Sequence, residues 1–200
     1  MSGQLVVVAP EAARWLGVEV PASATVVVGG VAGGVGTSTV ARLLGDVLVG
    51  LRGALVSPQV VDAGAVARAW AVGDEPVPAG VVLVVCGAHP EAVAAGCAVV
   101  RDLRARPDAA ARTVLLVPVA TAGTTAAPSA LLAAAADLGV PTGVLPVPRS
   151  RALAAGGTLA ELERRRVSAL WDVGVALAVE VLRASRLHAV GAAGVSGIGR

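Results

Sequence analysis

Gly29-Gly30-Val31-Ala32-Gly33-Gly34-Val35-Gly36-Thr37-Ser38-Thr39-Val40-Ala41 follows a valine-rich run, opens a segment of helical length, and contains no lysine. A strand, a glycine turn and a helix N-terminus in that order build an anion cradle, because bare backbone N–H groups converge there and the helix dipole adds positive potential. A phosphate loop of the G-x-x-x-x-G-K-[ST] kind also carries a lysine, and Thr37 stands in that place here. All 16 basic residues of the chain are arginine, so no lysine elsewhere can lend the charge.

Composition accounts for part of this. Lys, Asn, Phe and Tyr are missing and Ile occurs once, while Ala, Val, Gly, Arg and Pro abound, as strong GC pressure on codons produces. Such pressure turns Lys into Arg, not into Thr. The charge at position 37 has therefore been given up rather than respelled.

The 200 residues suffice for one domain with a substantial core, and a 56% hydrophobic content suits a well-buried sheet. The expected organisation is a single domain over residues 1–190 and a flexible Gly-rich tail over 191–200. Net charge is only +2, and the densest basic group, Arg164, Arg165 and Arg166, suits a solvated helix face, so there is no strong nucleic-acid signal. Cys86 and Cys97 are too few and too poorly spaced for a disulfide framework or a zinc site and read as buried free thiols in a reducing cytosol. His89 and His188 stand alone and read as surface or loop histidines.

No basic region leads a hydrophobic stretch at the N-terminus, and Glu11 interrupts the first apolar run, so no secretory signal is expected. Residues 113 to 136 lack charge, but Pro118, Gly123, Pro128 and four Thr divide them into strand, loop and helix rather than a membrane span. The expected location is cytoplasmic, with no transmembrane segment.

Short Val/Leu runs alternate with Ala/Leu/Arg segments of helical length, the pattern of βαβ units. The fold class expected is α/β, a mostly parallel sheet flanked by helices on both faces. Near-continuous apolar runs predict strands at 4–8, 24–29, 54–61, 81–86, 113–119 and 143–147. Helices are predicted at 10–16, 37–50, 63–71, 90–105, 127–138, 150–155 and 158–187. Pro90-Glu91 and Pro128-Ser129 mark helix starts, and Gly139 marks a stop. In the last helix Leu162, Val167, Leu170, Trp171, Leu177, Val181 and Leu182 form one apolar stripe that suits packing on the sheet.

With the glycine loop placed between strand and helix, Ala32 to Ala41 resembles the deviant Walker A motif of the ParA/MinD family of P-loop ATPases, nearest to CpaE/TadZ-like variants. The family motif runs K-G-G-x-G-K-[ST]-T; Gly33, Gly34, Val35, Gly36, Ser38 and Thr39 stand in the matching places, while Ala32 and Thr37 replace both lysines. Val60-Val61-Asp62-Ala63-Gly64 is similar to the family's strand ending in an acidic residue, and Val144 to Arg149 to its late strand beside the nucleotide base. The resemblance implies a shortened P-loop NTPase fold. It also implies a nucleotide site of Gly33, Gly34, Val35, Gly36, Thr37, Ser38 and Thr39, with Ser38 and Asp62 toward Mg²⁺.

The cofactor implied is ATP or ADP with Mg²⁺, or none in a fully decayed site. Without the lysine, turnover suffers more than affinity, because the charge that grows in the transition state loses its counterpart. The function so implied is that of a degenerate ParA/MinD-like pseudo-ATPase acting as a binding, positioning or regulatory protein, with a protein partner and homodimerisation through the loop face. Two alternatives stay open. One is a weak Mg-ATPase completed in trans by a partner, with Arg149 or a partner's arginine supplying charge. The other is a Rossmann-type dinucleotide-binding relic, since Gly30-x-x-x-Gly34-x-Gly36 also fits a dinucleotide loop while the Tyr and Lys of an active short-chain dehydrogenase are missing. For Asp62 the competing role is an N-cap of the following helix.

Overall fold

The computed structural model describes Arg14 and residues 17–20, 24–120, 127–148 and 168–195. The elements are β1 (Thr25–Gly30), α1 (Thr37–Arg52), β2 (Gln59–Gly64), α2 (Ala67–Val72), β3 (Gly80–Gly87), α3 (Pro90–Ala105), β4 (Arg112–Val119), α4 (Pro128–Asp137) and α5 (Ser168–Val195). Among the described residues four strands form one sheet in the order β2-β1-β3-β4, every pair parallel. The α/β class with helices on both faces is thus observed.

Period-two alternation in the valine runs assigns the two faces. Val81, Leu83 and Val85 of β3 face a core shared with α1 and α5, whereas Val82, Val84 and Cys86 face a core shared with α2, α3 and α4. Strands covered on both sides need apolar residues at every position, and β3 is buried from Val81 to Gly87. The chain moves from β1 to β2 through α1, then crosses back past β1 to β3 through α2. A right-handed crossover that reverses direction must change face, which is why α1 lies on one side and α2 and α3 on the other. The α5 stripe packs as expected, with Leu170, Leu177, Val181 and Leu182 in the α1 core. Gly174 permits that crossing, since a Cβ there would lie 2.7 Å from Val47 Cγ2.

Several boundaries differ from expectation. The run 54–61 is not one strand: Ala54–Val56 is a 3-10 turn and β2 starts at Gln59. Arg52 Nη2 donates to Val56 O at 3.0 Å and Ser57 Oγ to Leu48 O at 3.0 Å, folding this stretch back on α1. Pro58, with no N–H to give a ladder, immediately precedes the strand. The helix expected from 63 starts at Ala67, because β2 runs on to Gly64. The run 143–147 makes only two isolated parallel bridges, Leu116 with Val144 and Val119 with Val147; Pro146 between them cannot donate. Helix α5 continues to Val195, taking in the first part of the stretch read as a tail. The strand at 4–8, the helix at 150–155, residues 158–167 and, apart from Arg14, the helix at 10–16 lie outside the described residues. Among the described residues no helix is long and apolar enough to cross a membrane.

Arginines tie the N-terminal edge of the sheet, opposite the glycine turn. Arg112 donates to both carboxylate oxygens of Asp108 at 2.8 and 2.7 Å, and Arg106 Nε adds a third bond at 3.2 Å. Together, Arg112 first and then Arg106, they hold the Asp108 carboxyl well below the usual carboxylate range. Arg106 Nη1 also donates to Trp70 O at 3.2 Å, anchoring α2 from below.

Burial pushes the Cys86 thiol up to about 12, with neighbouring Cys97 adding to the shift. The unfolded chain then releases a proton near pH 9 that the folded chain keeps. Stability should fall from about pH 9 toward about pH 12, by up to about 1.4 kcal/mol per pH unit for this group. Urea midpoints between pH 8 and 11 test this: Cys86→Ala should show a shallower alkaline decline than wild type, and an equally steep one would contradict it.

A second expectation concerns Gly29, where an added Cβ would clash with Cζ3 and Cη2 on the edge of the six-membered ring of buried Trp70. Gly29→Ala should cost about 1–3 kcal/mol through overpacking. A urea midpoint unchanged from wild type would contradict that.

Candidate functional site

Residues Val31 to Gly36 carry the chain from β1 into α1. Val31 N donates to Val85 O at 2.9 Å, extending the β1–β3 ladder one residue into the turn. Gly34 and Gly36 take φ of 74° and 94°, left-handed values that favour glycine. Gly36 is also the N-cap of α1 and offers its first turn no side-chain acceptor. Among the described residues, no backbone carbonyl accepts from any N–H between Ala32 and Thr39. A row of donors is therefore uncommitted where the dipole of α1 is positive.

The glycines of the motif have different reasons for being glycine. Gly29 makes room for Trp70, and Gly36 lies against Val119, whose Cγ1 would be 3.1 Å from an added Cβ. At Gly30 an added Cβ would meet Thr37 Oγ1 and would lie 3.0 Å from Val35 Cγ2. The base of the turn is thus filled by the chain's own atoms. Gly33 has neither a positive φ nor any atom within 4 Å of an added Cβ, and Gly34 likewise faces open space. Neither backbone strain nor packing among the described residues requires glycine at Gly33.

That open space is a cleft of about 420 Å³. Its lining includes Val31 to Val35 of the turn, Arg68 of α2, and Gly87, His89, Glu91 and Ala92 at the start of α3. The cleft lies outside the C-terminal ends of β1 and β3. There the strand order reverses, the place where doubly wound sheets take their ligands. The N-terminus of α3 opens toward it, and the turn that leads into α1 forms the facing wall. His89 caps α3, its Nδ1 accepting from Ala92 N at 3.4 Å, and Pro90 follows in the first turn, where a missing N–H is harmless.

The structure divides the expected site residues. Gly33, Gly34 and Val35 line the cleft, whereas Gly36, Thr37, Ser38 and Thr39 are not among its lining. Thr37 is buried. Ser38 is exposed and Thr39 half-buried in the first turn of α1. Asp62 stands exposed near the end of β2, in register with Val28, and its Oδ1 accepts from Gly64 N at 3.0 Å. It turns the strand end rather than capping a helix, since the N-cap of α2 is Val66 without a side-chain bond. The described residues contain no group of three His, Cys, Asp or Glu that could hold a metal ion. Arg149 lies outside the described residues.

Three cleft residues escape a reading of the sequence: Arg68, His89 and Glu91. His89-Pro90-Glu91 is legible as a helix start, but only the strand order reveals that this start faces the glycine turn. For Arg68 no local signal exists. The two thiols are no part of the site, being buried in the core beneath it.

Compared with known proteins, the chain matches no protein-family model, no curated protein and no solved structure.

The unequal reasons for the glycines make a test. Gly36→Ala should destabilise the protein by about 1–3 kcal/mol through left-handed strain and contact with Val119. Gly33→Ala should stay within about 0.5 kcal/mol of wild type. Equal losses in chemical denaturation would show that Gly33 is fixed by packing after all.

Proposed function

We propose that this chain binds a phosphate ester, a nucleotide above all, in the cleft between the glycine turn and α3, and works by binding and positioning rather than by turnover. The observation that carries the reading is the open rim at Gly33 and Gly34 beside a row of uncommitted N–H groups. An anion is the ligand such donors favour, and phosphate oxygens accept several at once. The resemblance of residues 32–41 to a deviant Walker A motif points the same way.

Turnover lacks its usual parts. A phosphate loop's lysine neutralises charge that grows on the transferring phosphoryl group, and Thr37 has none to offer. Ser38 and Asp62, the pair the resemblance assigns to Mg²⁺, both stand outside the cleft lining. The reading therefore asks for an anion and not for a metal. A degenerate ParA/MinD-like scaffold of this sort keeps a ligand-dependent surface and loses the hydrolytic timer. The partner proposed is a protein or a second copy of the chain meeting the loop face.

A dinucleotide is the second reading, and one observation favours it. β2 pairs directly with β1 and carries Asp62 near its end, where a dinucleotide-binding fold places the carboxylate that holds a ribose. Asp62 is outside the cleft lining, which weighs the other way.

Thermal unfolding with ADP, ATP with and without Mg²⁺, NAD and NADP separates the readings. A ligand at about 100 times its Kd should add about 2.7 kcal/mol of stability. We expect stabilisation by ADP and ATP without sustained phosphate release, and its loss in Gly33→Val. A response to NAD or NADP alone would favour the dinucleotide, steady phosphate release would overturn the pseudo-enzyme, and no response to any phosphate ester would overturn the proposal. Thr37→Lys should raise nucleotide affinity about tenfold or more, as a charge-assisted contact of about 1.5–3 kcal/mol implies.

A further inference from the structure

We propose that Arg68 of α2 replaces the positive charge missing from the glycine turn, so that a bound phosphate ester is held between the guanidinium on one wall and the backbone of Gly33 and Gly34 on the other. This inference rests on the phosphate-binding reading of the cleft. It assigns to a different element, one wall away, a charge that such loops ordinarily carry at the helix start.

Three observations carry it. Arg68 lines the cleft together with the turn, it is exposed, and among the described residues it has no ion pair or hydrogen bond. Its placement is built rather than incidental. The neighbouring Trp70 is seated where Gly29 has no side chain, and Trp70 O accepts from Arg106, so α2 is pinned at both ends of one residue. Arg68, two positions earlier, is left on the solvent side of that short helix and faces the rim.

Charge decides what the cleft can take. Its charged side chains are Arg68 and Glu91, with His89 as the further titratable group. Without Arg68 the lining would carry the Glu91 carboxylate alone, which disfavours an anion in the same space. With Arg68 the two side chains balance and the uncommitted amides tip the site toward phosphate. A planar guanidinium can meet two phosphate oxygens at once, a geometry that an ammonium cannot copy.

Isothermal titration of the full chain with inorganic pyrophosphate and with ADP tests the assignment. Arg68→Ala should weaken both about tenfold, leave the ligand-free melting temperature unchanged because the side chain is exposed and unpaired, and reduce the salt dependence of binding. Arg68→Lys should recover part of the affinity by restoring charge without the fork. Affinities in Arg68→Ala within twofold of wild type, alongside loss of binding in Gly33→Val, would overturn the role of Arg68 and leave the phosphate-binding reading standing. Wild-type protein that binds neither probe would overturn both.

Discussion

Parallel pairing of β1 with β3 is the constraint on which everything at the cleft depends. Because the chain places β2 on one side of β1 and β3 on the other, the connections after β1 and after β3 leave toward opposite faces and cannot fill the space between them. Val31 N to Val85 O closes the ladder at that point, and beyond it the two backbones diverge. The glycine turn and the start of α3 thus confront each other across a gap that the topology itself creates. Packing on both faces holds the pair in place, since every β3 side chain from Val81 to Cys86 is buried.

Within that gap the turn has two parts with different physics. Its base, around Gly30, is closed by Thr37 Oγ1 and Val35 Cγ2, so the side chain at the lysine position contributes to packing rather than to charge. Its rim, at Gly33 and Gly34, is bare. A phosphate loop ordinarily uses both parts, enclosing the anion and meeting it with a cation from the same helix. Here the enclosing part is occupied, and in the proposed site the cation is Arg68 on another wall. Such a division permits binding while removing the alignment of charge that phosphoryl transfer needs.

Much of this was legible in the residues. Valine runs bounded by glycine and proline identify β1, β3 and β4, and Pro90 and Pro128 locate two helix starts to within a residue, because both signals are local. The glycine turn is legible as a strand-to-helix corner for the same reason. The strand expected at 54–61 is a different case. Its apolar residues look like core, yet Leu55 is 96% exposed, because the C-terminal end of α1 and Pro58 take that stretch into a turn. Pattern alone could not see that competition. Nor could it bring Arg68 and Glu91 to the turn, since they lie on segments far apart in sequence that only the strand order joins.

Amide chemical shifts offer the most direct examination of the central claim, that open backbone at the turn receives an anion. In a nitrogen-15-labelled sample titrated with pyrophosphate, the largest changes should fall on Gly33, Gly34 and Val35, with smaller ones at the start of α3 and on the Arg68 side-chain Nε–H. Unmoved glycine resonances at saturating pyrophosphate, or changes confined to the opposite edge around Arg106 and Arg112, would contradict it.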